Sequence, residues 1–160
     1  MINLWGGTVD DETCSAIGHF SIIWAQFENY FFNNNYNANS SKGIIVRASE
    51  SISKELINNI KNALVKYGEE TNPEGCDWLA KLSVRDNEPH YNQLIQGFLD
   101  GDSLCKEYQI LACIYIAARI RNNLLHGIKD VFTLDKQVEI FKSLYDFLQA
   151  LIVNYAISVC

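Results

Sequence analysis

Proline is scarce in this chain, with two residues in 160, Pro73 and Pro89. With so few breakers of the backbone hydrogen-bond ladder, long helices are open to it almost everywhere. Alternating apolar and polar runs of useful length are also missing, which removes the usual signature of a strand with one buried face. No internal repeat occurs. No uninterrupted apolar stretch reaches the thickness of a bilayer, so no membrane-spanning helix is expected. Met1 to Asp11 has no basic region followed by an apolar one, so no signal peptide is read. Cations are outnumbered, 13 Lys and Arg against 19 Asp and Glu, for a formal net charge of -6 and a pI near 5.0. That balance argues against a broad, non-specific hold on nucleic acid. Any site for RNA or a nucleotide must be a local cationic pocket.

The five cysteines, Cys14, Cys76, Cys105, Cys113 and Cys160, are odd in number and contain no C-x-x-C pair. Reduced, partly buried thiols in a cytoplasmic protein are the expectation. His19, His90 and His126 have no ligand spacing to a second His or Cys, so neither a structural metal nor a cofactor is expected.

What is present is an apolar share of 48%, normal for a globular chain. The length suits one domain over residues 1–160, large enough for a core without disulfide or metal staples. Asp10 and Asp11 cap a predicted helix running to about Asn33, with Ile17, Phe20, Trp24, Phe27 and Phe31 at helical spacing. The Asn-rich tract at residues 33–41 is turn-forming and expected to be a mobile loop. A second helix is predicted from near Ser51 to Tyr67, and a break from Gly68 to Asp77 around Pro73 and Gly75. Residues 76–82 suit a short helix, and Pro89 suits the start of another that ends at Gly101. Asp102 or Ser103 then caps the longest periodic segment, which reaches His126 before Gly127. A last helix spans about Leu134 to Ser158, with Val138, Phe141, Tyr145, Leu148 and Ile152 on one face. The fold class is all-α, a compact bundle of about five to six helices.

On a wheel at about 100° per residue, positions 110 to 126 form one wide apolar arc with Arg121 near its middle. An unpaired cation buried there costs several kcal/mol or more, on the order of the desolvation of a charge. Arg121 must therefore meet a carboxylate, line a wet cleft or face a subunit interface, unless its stem snorkels to solvent. Tyr115, Arg119, Asn122 and His126 fall on an adjoining polar stripe. Arg121 and His126 diverge by about 140° on an ideal helix. A long guanidinium and a histidine in the last turn can still converge on one small anion. Glu28, bordering the aromatic face of the first helix, is the candidate partner for Arg121, with a solvent-directed edge residue as the alternative.

The string Arg121-Asn122-Asn123-Leu124-Leu125-His126-Gly127, with Lys129 close behind, resembles the R-x4-6-H signature of the HEPN superfamily. The branch it is most similar to reads R-N-x-hydrophobic-x-H-G after an apolar helix. The likeness covers about Tyr115 to Lys129. It implies a compact helical bundle that dimerises through the faces carrying the motif. It also implies either a metal-independent ribonuclease of toxin–antitoxin, abortive-infection or CRISPR-linked defence systems, or a binding module that has lost catalysis. The family's arginine and histidine correspond to Arg121 and His126, and its polar residue after the arginine to Asn122. An acidic residue from the first helix often joins the site, and Glu28 is the candidate.

Catalysis implied in this way cleaves RNA with its own 2′-hydroxyl as nucleophile. His126 moves a proton, Arg121 grips the scissile phosphate, and Asn122 orients His126 or a phosphate oxygen. Lys129, Arg119 and Tyr115 are candidate phosphate or RNA contacts, with a solvated surface role as the plainer alternative for the two cations. One such histidine per chain points to a homodimer. RNA and an antitoxin protein are the implied partners, with no membrane. The rival expectations are a catalytically inactive HEPN-like module binding a nucleotide or a protein, and a purely structural helical dimer.

Overall fold

The computed structural model describes residues 2–4, 7–41, 43, 51–82, 89–101, 103–125 and 133–158. Among them the fold is an all-α bundle of six α-helices, preceded by one small hairpin. In the hairpin β1 (Ile2–Leu4) pairs antiparallel with β2 (Gly7–Val9), Ile2 opposite Val9 and Leu4 opposite Gly7. Strands of three residues are too short to show a period of two, which is why no strand was expected here.

Helix α1 (Asp11–Phe32) starts on Asp10, whose carboxylate accepts the Thr13 N–H at 2.6 Å, with Asp11 and Glu12 favouring the positive end of the helix dipole. It stops at Asn33, which takes a left-handed conformation with φ 51°. Its buried stripe is Ala16, Phe20, Ile23, Trp24 and Phe27, while Ile17 and Phe31 at the edges are half-buried. The Asn-rich tract expected to be a turn-forming loop contains local structure of its own. It forms a 3-10 turn at Ala38–Ser41 with Ser41 buried, and Asn37 Oδ1 accepts the Asn39 N–H at 2.9 Å.

Helix α2 (Lys54–Thr71) is capped by Ser53, whose hydroxyl accepts the Leu56 N–H at 3.2 Å. It runs one turn past the predicted stop, because Gly68 is a packing residue and not a terminator. A Cβ built on Gly68 would lie 2.8 Å from the Trp78 indole, so the glycine lets the ring sit against the helix backbone. Trp78 opens the short helix α3 (Trp78–Lys81), capped by Asp77. Helix α4 (Pro89–Asp100) follows, and Gly101 with φ 86° succeeds it.

Helix α5 (Lys106–Leu125) is the centre of the bundle. Every residue from 110 to 118 is buried, so the helix has no solvent face there. The adjoining polar stripe predicted for it begins only at Arg119. A helix that is apolar all round is stable only when neighbours cover it on every side. Here α4 and α2 pack on it, with smaller contacts from α6 and the 3-10 turn at residues 38–41. Helix α6 (Val138–Ser158), entered through a 3-10 turn at Asp135–Gln137, packs along α1 and against α2. Because it covers two neighbours, its buried set is Ile140, Phe141, Leu144, Phe147, Leu148 and Leu151, and Val138, Tyr145 and Ile152 sit at the margin. Phe20 and Phe141 meet across the α1–α6 contact with ring centres 5.7 Å apart.

Cys14, Cys76, Cys105 and Cys113 are free thiols; Cys113 is fully buried, and burial pushes its thiol well above the usual range. Cys160 lies outside the described residues. No helix among the described residues is long and apolar enough to cross a membrane.

Candidate functional site

Helix α5 leaves the core in its last turns. Arg119, Arg121, Asn122 and Leu124 are half-buried, whereas the residues before them are enclosed. Arg121 meets the partner predicted for it: its Nη2 lies 3.6 Å from Glu28 Oε2, with side-chain exposures of 34% and 16%. The carboxylate is held on both oxygens. Oε2 also accepts the Trp24 indole N–H at 3.2 Å, and Oε1 accepts the backbone N–H of Tyr36 at 3.2 Å. These donors satisfy the lone pairs that the arginine leaves free, so the mostly buried carboxylate is not short of partners.

The local reason lies in the spacing of α1. Trp24 and Glu28 are one turn apart on the same side, and the left-handed Asn33 and Asn34 turn the chain back so that Tyr36 meets Glu28. The Asn34 N–H donates to the Glu28 carbonyl at 3.2 Å. Trp24 and Tyr36 close the contact edge to face, ring centres 5.2 Å apart.

Arg121 Nη1 donates to Asn122 Oδ1 at 3.0 Å. Asn122 therefore turns its oxygen to the arginine. Arg121 is thus fixed from two sides while a third of it faces solvent, an arrangement suited to receiving a small anion such as a phosphate. His126, Gly127 and Lys129 lie outside the described residues.

Arg119 and Tyr115 do not join Arg121. Positions 119 and 121 are separated by about 200° on an ideal helix, so the two cations leave α5 on nearly opposite sides. Arg119 Nε donates to the Leu82 carbonyl at 3.1 Å. Tyr115 is 3% exposed and stacks on Tyr91 at 4.4 Å between ring centres, 19° from parallel. Its ring is covered in this arrangement, because the α4–α5 packing closes over the stripe on which the wheel placed it.

Asn123 is the motif residue whose part the sequence reading missed. It is 1% exposed, its Nδ2 donates to the Lys81 carbonyl at 3.3 Å, and its buried Oδ1 has no hydrogen-bond partner among the described residues. Arg119 and Asn123 are four residues apart, hence on one face, and together they bind the carbonyls of Leu82 and Lys81, the C-cap and last residue of α3, which helix geometry leaves open. That spacing signals a shared face, but not which element the face meets. A second unforeseen link is Asn39, whose Oδ1 accepts the Tyr91 hydroxyl at 3.1 Å. The Asn-rich tract is thereby tied at one end to the Glu28–Arg121 pair and at the other to the Tyr91–Tyr115 stack.

No group of three or more His, Cys, Asp or Glu able to hold a metal ion occurs among the described residues. Comparison of the chain with protein-family models, with curated proteins and with solved structures finds no match.

Proposed function

We propose that this chain is a metal-independent endoribonuclease of the HEPN type, acting as a toxin or as a component of phage defence or abortive infection. The observation that carries the reading is Arg121. It is partly exposed at the emerging end of a buried helix, held by Glu28 and Asn122, and five residues before His126. A guanidinium fixed in that way can grip the scissile phosphate and stabilise the charge that builds up as the 2′-hydroxyl attacks it. His126 takes the proton from the 2′-hydroxyl or gives one to the departing 5′-oxygen. Glu28 and Asn122 position Arg121. Arg119 and Tyr115 support the site by anchoring α5 to its neighbours, and Lys129 supplies a phosphate contact.

One motif histidine per chain leaves the acid–base pair incomplete, and a two-fold homodimer bringing two Arg121–His126 sets into one cleft completes it. RNA is the substrate, an antitoxin protein is the partner that restrains it, and the protein works in the cytoplasm without a cofactor. The test is incubation with single-stranded RNA in chelator, followed by end-group analysis. The expected products carry a 2′,3′-cyclic phosphate and a 5′-hydroxyl, and Arg121→Ala slows cleavage by about a hundredfold or more. His126→Ala cleaving as fast as the wild type would sink the mechanism. Growth arrest on expression, relieved by Arg121→Ala, is the expected mark of a toxin.

The ion pair favours a second reading, a catalytically inactive HEPN-like dimerisation module that binds a nucleotide or a protein. There Glu28 neutralises Arg121 for structural reasons. Binding of RNA without any cleavage, unaffected by His126→Ala, would select it.

A further inference from the structure

Residues 33–39 carry five asparagines in seven positions, and three of them have structural work. Asn33 ends α1 in the left-handed conformation. Asn37 accepts the Asn39 N–H, and Asn39 accepts the Tyr91 hydroxyl. Asn34 and Asn35 are different. Both are exposed, and among the described residues neither side-chain amide makes a hydrogen bond. Their backbone is nevertheless fixed, because the N–H groups of Asn34 and Tyr36 both donate to Glu28, one to its carbonyl and one to its carboxylate. The same carboxylate holds Arg121. The Tyr36 N–H, next in the chain after these two residues, is separated from the Arg121 guanidinium by the Glu28 carboxylate alone.

We propose that Asn34 and Asn35 read the base beside the phosphate held at Arg121, giving the protein a sequence preference on single-stranded RNA. This rests on the RNA reading above and names the specificity element of that site. A side-chain amide sets one donor beside one acceptor, the complement of a base edge such as adenine's amino group and ring nitrogen. Those edges are open only where the strand is unpaired, which selects loops and single strands over duplex. A fixed backbone lowers the ordering cost of reading, which a floppy Asn-rich tract would bear in full. The acidic overall charge fits the same picture, since weak backbone attraction leaves more of the discrimination to the bases.

The test combines Asn34→Gly, which suits the left-handed position, with Asn35→Ala. Cut sites are mapped on single-stranded RNA of randomised sequence, and affinities are measured for uncleavable 2′-O-methyl oligo(A), oligo(C) and oligo(U). The wild type is expected to favour one base about tenfold, and the double variant to level that preference to about twofold or less. An unchanged helical circular dichroism signal and melting temperature establish that the variant is folded. Arg121→Ala serves as the contrast, lowering cleavage or affinity on all sequences alike without changing their ratios. A double variant that keeps the wild-type base profile overturns the proposal, as does a wild type that cuts all bases equally. A wild type that cleaves nothing ends the ribonuclease reading alone. The base-reading proposal is then decided by the oligonucleotides: loss of a binding preference in the variant upholds it, and equal affinities in the wild type overturn it.

Discussion

Glu28 Oε2 and Arg121 Nη2 stand 3.6 Å apart, joining the last turns of α1 and α5. Residues 93 positions apart in the chain thus share one electrostatic contact, and the same carboxylate also carries the return of the Asn-rich tract through Tyr36. The position of the arginine and the path of the tract are therefore coupled.

That coupling has a thermodynamic signature. A double-mutant cycle of Glu28→Gln and Arg121→Met, followed by urea unfolding, should give an interaction energy on the order of 1 kcal/mol, above the median for fully exposed pairs. Glu28→Gln alone keeps an acceptor for Trp24 or Tyr36 and should be the milder single change. Additive single effects would mean that the pair contributes nothing beyond its separate residues.

Gly68→Ala should destabilise the protein although it adds a good helix former. The gain in helix propensity is about 1 kcal/mol, whereas forcing a methyl to within 2.8 Å of the Trp78 ring costs about 1–3 kcal/mol by overpacking. In a Trp78→Leu background, which removes the ring, the same substitution should become neutral or stabilising. Thermal melts of the four proteins compare the two cases.

Asn123→Asp introduces a carboxylate at a buried site facing the Lys81 carbonyl. At neutral pH the loss should be about 1 kcal/mol or more, since the buried charge faces a carbonyl oxygen and Arg119, one turn away on the same face, offsets only part of the burial cost. Burial raises the folded pKa of such a group above its unfolded value, so the penalty shrinks as pH falls and is fully present above the folded pKa. The protonated form can donate to Lys81 again. Urea midpoints relative to the wild type should therefore converge on acidification, and a pH-independent gap would refute the burial argument.

Asp10 shows the opposite sign. The Thr13 N–H holds its carboxyl below the usual range, so its contribution is present above the unfolded pKa and lost as pH falls through the folded one. Asp10→Ala should lower the melting temperature at neutral pH, and the difference from wild type should narrow in acid. Asp10→Asn, which keeps the capping oxygen, should recover most of the loss.

Much of the helical plan was legible because it rests on local chemistry. The cap at Asp10, the start at Pro89 and the apolar period of α1 and α6 each act within a turn or two of chain. The Glu28–Arg121 pair was legible for another reason: both residues carry a charge on an apolar border, where an unpaired ion is costly. Gly68 misled because a glycine that stops a helix and one that admits a ring look alike until the ring's position is known. Tyr115 misled because amphipathic reasoning assumes one solvent face, and α5 has none over residues 110–118.

The sequence by itself determined an all-α chain, the ends of α1 and α4, and an arginine in need of a carboxylate, since propensity, capping and the cost of a buried charge are properties of residues and their near neighbours. The start of α5, expected on Asp102 or Ser103, falls instead at Lys106. Tertiary structure alone decided that Arg119 and Asn123 hold α3, that Tyr115 stacks under Tyr91, and that the Asn-rich tract is moored to Glu28. Those contacts depend on which helices enclose α5 and from what side, and no local pattern encodes that choice.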